Sequence, residues 1–194
     1  MTYPAPTLLH LIRHAPALTN GRMAGRRDVG ADCSDLAAIA ALRAGIGAFD
    51  HLVISPAQRC VQTAQALLSA RLPDYVDPAL WEQDFGNWED VPYADLPDLG
   101  PLSAADLAAH RPPSGESFAD ICARIQPALI RVATLGGNVV VVAHAGTVRA
   151  AIAHATGSIP AALAFQIAPL SLTTLCMTAP DSAWSIACVN RVFV

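Results

Sequence analysis

Apolar positions in this chain fall into short, nearly continuous runs, separated by alanine-rich stretches of helical period. Thr7–Arg13 (TLLHLIR) and His51–Ser55 read as strands. Asn138–Ala143 (NVVVVA) is an unbroken β-branched run, the mark of a strand covered on both faces. Ser34–Ile46 reads as a helix that Ser34 or Asp35 can cap. Pro56–Ala70 reads as a second, with Ser55 at the N-cap and Pro56 at the first helical position, where a missing N–H costs nothing. Ser117–Leu135 is helical by pattern, and Pro127 inside it predicts a kink or two abutting helices. Gly146–Thr156 follows as a helix. Ser171–Thr178 and Ala183–Val189 read as late strands near a sheet edge.

This alternation predicts an α/β fold, a three-layer α/β/α sandwich with a mostly parallel central sheet. No repeat or linker divides the sequence, so residues 1–194 are expected to form a single domain. Leu72–Pro113 is broken by prolines and acidic residues, with a short helix expected near Ser103–His110. It reads as an irregular lid insertion over the C-terminal edge of the sheet.

Composition narrows the function. With 53% hydrophobic and 14% charged residues, the chain should fold to a compact globule rather than remain disordered. No apolar run approaches the roughly 20 residues that cross a bilayer. The start, MTYPAPTLLHLI, lacks a basic leader region and a cleavage site, so a cytoplasmic protein without a membrane partner is expected. A net charge of −4 offers no basic face to nucleic acid. All 12 basic residues are Arg, which excludes Schiff-base lysine chemistry and a P-loop lysine. The five scattered cysteines lack C-x-x-C spacing, fitting a reduced compartment and small apolar roles.

Four clusters carry candidate chemistry. Arg13-His14 ends the first strand, with Asn20 six residues beyond. Ser55-Pro56-Ala57-Gln58-Arg59 opens the second helix and puts Arg59 near a helix N-terminus, which already favours anions. Trp81-Glu82 begins an aromatic, acidic block in the insertion that ends Gly86-Asn87-Trp88-Glu89. His144-Ala145-Gly146 follows the most apolar strand, with Arg149 further along the next helix. A lone histidine after a strand is usually structural, and a lone helix arginine is usually solvated. Arg22, Arg26 and Arg27 read equally as a solvated basic loop. Two histidines and two arginines at strand and helix ends together make a cationic pocket, with no metal-ligand signature and no metal expected.

These blocks, LIRHAPALTN, ISPAQRCVQTA, LWEQDFGNWED, PSGESFADICARI and VVVVAHAG, resemble the histidine phosphatase (phosphoglycerate mutase-like) superfamily nearly end to end. The resemblance implies that His14 is phosphorylated and that Arg13, Arg59 and His144 grip the phosphoryl group. It implies further phosphate contacts at Asn20 and Ala145, and a proton donor at Glu82. Met23, Trp81, Phe85 and Trp88 would form a substrate wall. No cofactor is implied; the partner is a small phosphorylated metabolite, and some relatives are homodimers. One departure stands out: the family usually reads Arg-His-Gly-Glu-Thr/Ser where this chain has Arg13-His14-Ala15-Pro16-Ala17. Loss of the hydroxyl should make phosphate binding lean more on the arginines.

Phosphoryl transfer is mostly positioning and charge stabilisation. His14 would attack phosphorus while Arg13 and Arg59 favour its neutral form. Glu82 would protonate the leaving alkoxide and then, as carboxylate, activate water. The insertion Leu72–Pro113 contains only Arg111 as a basic side chain and is net acidic, which argues against a clamp for a small dianion. The short length, the FGNWED and GES blocks and the closing Val189-Asn190-Arg191 resemble the α-ribazole-5′-phosphate phosphatases of cobalamin biosynthesis. The expectation is a metal-independent phosphomonoesterase acting on α-ribazole 5′-phosphate or a similar nucleotide-like phosphate. Two alternatives stay open: phosphoglycerate mutase-type phosphoryl transfer, and a non-catalytic phospholigand-binding module.

Overall fold

A computed structural model describes residues 6–69, 71–178 and 184–193. Six strands form one sheet: β1 (Thr7–Arg13), β2 (His51–Ile54), β3 (Tyr75–Val76), β4 (Asn138–Ala143), β5 (Leu172–Met177) and β6 (Trp184–Arg191). Their spatial order is β3-β2-β4-β1-β5-β6. The pairs β3–β2, β2–β4 and β4–β1 are parallel, whereas β1–β5 and β5–β6 are antiparallel. β5 therefore lies inside the sheet and only β6 forms that edge. The predicted ends Ala70 and Ala183 fall outside the described residues.

Alternation along the central strands splits the core into two layers. Leu9, Leu11, Val139 and Val141 face α4 (Phe118–Ala133) and α5 (Ala145–Thr156). Ile12, Leu52, Val140 and Val142 face α1 (Leu36–Ile46) and α2 (Gln58–Leu68). Val139 to Val142 are all 0% exposed, as a strand buried on both sides requires. The three-layer α/β/α arrangement follows from those two faces.

Caps set the helix starts. The Asp35 carboxylate accepts the Ala38 N–H of α1 at 3.0 Å. Ser117 and Asp120 form a reciprocal capping box at α4. Ser103 caps the short α3 (Ala104–Ala109) inside the insertion, close to the predicted span. Two expectations are corrected. α2 begins at Gln58 with Ala57 at its N-cap, not at Pro56; the Ser55 hydroxyl bonds His144 across the site and accepts the Ala57 N–H at 3.4 Å, one residue short of the helix. α4 runs as one helix through Pro127 rather than as two. Ala123 and Pro127 are both exposed, so the carbonyl that loses its partner lies on the solvated side. The buried face Ile121, Ile125, Leu129 and Val132 continues unbroken.

A last short helix, α6 (Ile159–Ala162), packs against α5. Among the described residues no helix is long and apolar enough to cross a membrane. Leu129, fully buried between α4 and the sheet, should lose about 2–5 kcal/mol of stability when changed to Ala. Leu36→Ala, at a residue 73% exposed, should change it by less than about 0.5 kcal/mol. Urea unfolding of the two variants beside the parent checks both.

Candidate active site

The parallel strands β2, β4 and β1 stop nearly in step and hand the chain to one crevice, the usual ligand position in an open α/β sheet. Arg13 lies opposite Ala143 in the β1–β4 ladder, and the His14 N–H extends it by donating to the Ala143 carbonyl at 2.9 Å. His14 and His144 therefore leave adjacent strands at one level. Their ring centroids are 5.2 Å apart, with 68° between the planes. Ser55 leaves β2 alongside, its N–H donating to Val142 at 3.0 Å.

His14 is 4% exposed, and its Nδ1 lies 2.6 Å from the Ala15 carbonyl oxygen. A carbonyl can only accept, so Nδ1 carries the proton and Nε2 keeps its lone pair. Burial pushes the ring's pKa down to about 3; the Ala15 carbonyl opposes this, and Arg59 and Arg13 add to it. The sequence points to the arginines as the cause, but desolvation is the larger one. Either way the ring is neutral, with its Nε2 lone pair available.

His144 is fully buried. The Arg59 Nε–H donates to its Nδ1 at 3.3 Å, which leaves Nε2–H to donate to the Ser55 Oγ at 2.9 Å. Burial, followed by the charge of Arg59, holds its pKa well below the ordinary histidine value. Trp81 lies parallel to the ring at 6.2 Å. With both nitrogens bonded to protein, a contact to a phosphoryl oxygen requires His144 to give up its Ser55 bond.

Arg59, second residue of α2, is 1% exposed. Its Nη2 donates to the Gly25 carbonyl at 2.7 Å and its Nη1 to the Arg27 carbonyl at 3.2 Å. A guanidinium has five N–H groups, so two remain for an anion. Arg13 donates through Nη1 to the Ile167 carbonyl at 2.5 Å, and its buried Nε has no partner among the described residues. Burial lowers its pKa, Glu82 opposes, and Arg149 and Arg59 reinforce the lowering. Arg13 and Arg59 thus bracket the space beside His14 with unspent donors.

α1, α3 and α4 are capped by their own side chains, whereas the N-caps of α2 and α5 make no side-chain cap bond. Loop carboxylates stand in at these two ends. Asp28 accepts the Gln58 N–H at 2.7 Å, and Glu82 accepts the Gly146 N–H at 3.3 Å. Glu82 also accepts the Gln83 N–H at 3.0 Å. The strip carrying Glu82 is fixed from below by Arg124 of α4, which donates to the carbonyls of Ala79, Trp81 and Glu82. Arg124 also grips Glu116 through two bonds of 2.7 and 2.8 Å. Burial raises the Glu116 pKa, but Arg124, the Asp84 N–H and the charge of Arg26 together leave it below the ordinary glutamate value.

The structure thus brings together Arg13, His14, Arg59, Glu82, His144 and Trp81. Ala145 is the first residue of α5, half-buried beside them. Asn20 is exposed, in a left-handed turn conformation with φ 53°. Met23 is half-buried, and its backbone pairs with Asp90 and Val91. Phe85 packs against Gly25, where a Cβ would overlap its ring. Trp88 stacks on His110 at 5.5 Å. Arg22 and Arg27 pair with Asp90, and Arg26 lies over Trp81 at 5.8 Å, so this loop is not simply solvated. Sequence reading missed roles for Ser55, Thr63, Glu89, Glu116 and Arg124, although all five stand in the quoted blocks. Among the described residues no group of three or more His, Cys, Asp or Glu side chains is placed to hold a metal ion.

Two neutral histidines flanked by arginines at the C-terminal edge of a parallel sheet make a crevice suited to an anion. The family model for the histidine phosphatase superfamily (branch 1) matches residues 9–191, and the chain belongs to that superfamily. It is 33% identical over 151 residues to a bifunctional protein of Mycobacterium tuberculosis, a match covering 72% of this chain and 41% of that relative. The chain thus spans about two fifths of the length of the curated relatives it matches. The α-ribazole phosphatase of Shigella flexneri has the same fold, with a TM-score of 0.79 and 22% identity over 95% of this chain and 96% of that one. So has a phosphoserine phosphatase of Entamoeba histolytica, with a TM-score of 0.79 and 21% identity over 96% and 98% of the two chains.

Two outcomes follow from this geometry. A Cβ on Gly146 would overlap the Glu82 carboxylate and the end of Ile121, so Gly146→Ala should cut kcat on phosphomonoesters about 10-fold or more by displacing Glu82; steady-state kinetics reads it. The second concerns pH. The folded His14 pKa of about 3 lies below the ordinary 6.5, so its contribution to stability is fully present above pH 6.5. It is lost as pH falls, because the unfolded chain takes up a proton that the folded chain does not. Between pH 6 and 4 the slope for this site should be about 1.4 kcal/mol per pH unit. Urea unfolding over that range should show His14→Asn to be less pH-dependent by that amount.

Proposed function

We propose that this chain is a phosphomonoesterase that works through a phosphohistidine at Nε2 of His14 and needs no metal. The observation that carries the reading is the His14 ring itself: buried, neutral, its tautomer fixed by the Ala15 carbonyl, and flanked by two guanidiniums with N–H groups to spare. Nε2 attacks phosphorus as the ester oxygen leaves, and Arg13 and Arg59 spread the equatorial oxygen charge. Glu82, held at the α5 N-terminus, donates a proton to the departing oxygen. As carboxylate it then takes one from the water that breaks the N–P bond. Asn20 and the Ala145 N–H add phosphate contacts, and His144 keeps Arg59 turned toward the anion.

For substrate, we favour α-ribazole 5′-phosphate or a similar nucleotide-like phosphate released in the cytoplasm. Trp81 presents an aromatic face beside the histidines, and Leu18 and Tyr93 expose apolar surface, 54% and 50% respectively. The likeness to the Shigella flexneri phosphatase supports the same choice. A second reading, a phosphorylated carboxylic acid, rests on Arg149, a further cation close enough to Arg13 to lower its pKa, whose Nε–H donates to the Phe165 carbonyl.

The purified protein should hydrolyse p-nitrophenyl phosphate, and His14→Ala should lower the rate by about 10³-fold or more. Rapid quenching with a labelled substrate should trap an acid-labile phosphoryl adduct on the parent and none on the variant. A folded parent that turns over no phosphomonoester and forms no adduct would sink the reading. Among substrates, α-ribazole 5′-phosphate should give the highest kcat/KM; a preference for phosphoserine would favour the second reading.

A further inference from the structure

Glu89 lies outside the group of side chains just described, yet its carboxylate is saturated. Oε2 accepts the N–H groups of Gly25 and Arg27, both at 3.1 Å. Oε1 accepts those of Arg26 at 2.7 Å and Phe85 at 3.1 Å. Three consecutive backbone donors closing on one anion form a nest. The opposite side of the same loop faces Arg59, whose Nη2 and Nη1 donate to the carbonyls of Gly25 and Arg27.

One peptide unit joins the two charges directly. The Gly25 carbonyl accepts from Arg59 at 2.7 Å, and the N–H of that same peptide, on Arg26, donates to Glu89 at 2.7 Å. The amide dipole therefore points its negative end at the guanidinium and its positive end at the carboxylate. Gly25 permits this approach, since a Cβ there would overlap the Gln83 carbonyl, the Phe85 ring and Glu89.

We propose that Glu89 is the positioning residue for Arg59: through the Gly25–Arg27 backbone it sets the direction of the two guanidinium N–H groups left for the phosphoryl oxygens. The inference rests on the phosphatase reading only in assigning Arg59 to that anion. A buried guanidinium takes its orientation from the groups that satisfy it, here His144 and these two carbonyls. Without the carboxylate, the three loop N–H groups and that of Phe85 are left without their acceptor, and the loop must move. Gln cannot substitute, because its amide nitrogen would meet donors where Glu89 offers lone pairs.

The test is a double-mutant cycle on the full chain. Glu89→Gln should lower kcat/KM on p-nitrophenyl phosphate about 10- to 100-fold, and it should weaken competitive inhibition by inorganic phosphate by a similar factor. Combined with Arg59→Ala it should cost less than about two-fold more than Arg59→Ala alone, since the two act as one unit. Losses that multiply, or phosphate inhibition unchanged in Glu89→Gln, would overturn the proposal. Glu89→Asp keeps the charge on a shorter arm and should show the same non-additivity, which covers the case in which Glu89→Gln does not fold. Asp90→Asn, next in sequence and paired with the side chains of Arg22 and Arg27 rather than with the loop's backbone N–H groups, should stay within about two-fold of the parent. If the parent hydrolyses nothing, the phosphatase reading fails by itself, and the same cycle on inorganic phosphate binding by calorimetry still decides the role of Glu89.

Discussion

The pairing of Arg13 with Ala143 across the β1–β4 ladder is the constraint on which the rest of the site depends. It places two histidines on neighbouring strand ends at one level, and a slip by one residue would turn every side chain of one strand to the opposite face. That slip is blocked by the core. Leu9 and Leu11 already share one hydrophobic layer with Val139 and Val141, and Ile12 shares the other with Val140 and Val142. The chemistry is thus registered by packing on both faces of a sheet that takes no part in it.

Burying that chemistry creates a problem of charge. Arg59 is nearly inaccessible, and a desolvated cation without partners costs several kcal/mol. The chain meets the cost with carbonyls rather than with a direct salt bridge. A carboxylate touching Arg59 would cancel the field an incoming anion needs. A carboxylate one peptide away stabilises the cation and leaves its outward N–H groups unspent. Arg124 is held the other way: it pairs directly with Glu116 and spends its remaining donors on the backbone around Glu82. Glu82 and Arg59 are thus each held through main chain.

How much of this was legible follows from the range of the interactions involved. The strands could be read because apolar runs report burial locally, and Arg13, His14, Arg59 and His144 could be read because they sit at element ends. The start of α2 misled: Ser55-Pro56 carries every local cap signal, but its hydroxyl is shared between the Ala57 N–H and His144, 89 residues away, and the helix starts only at Gln58. Glu89 and Arg124 were opaque for a similar reason. Glu89 acts on a loop more than 60 residues earlier, and Arg124 on a strip more than 40 residues earlier. A glutamate after a tryptophan has no local property that distinguishes an anchor from a surface charge. The family resemblance marked those blocks without giving the reason for them.

The altered turn after His14 can be understood in the same terms. Its departure from the usual Gly-Glu-Thr/Ser removes side chains, but the turn works through main chain. The Ala15 carbonyl fixes the His14 tautomer, and the Ala15 N–H donates to Thr63 Oγ1 at 2.9 Å. The Asp32 N–H donates to the Pro16 carbonyl at 2.7 Å. Thr63 in turn donates its hydroxyl proton to the Arg59 carbonyl, so the nucleophile's turn and the helix bearing the cation are joined by one side chain. Ala15 is wholly buried, where a methyl fills space that a glycine would leave open. What the turn must supply to the nucleophile is an acceptor for Nδ1–H and a rigid path, and Ala-Pro-Ala supplies both. The phosphate contact that the family resemblance assigns to the lost hydroxyl would fall, on the proposed reading, to the arginine donors beside it.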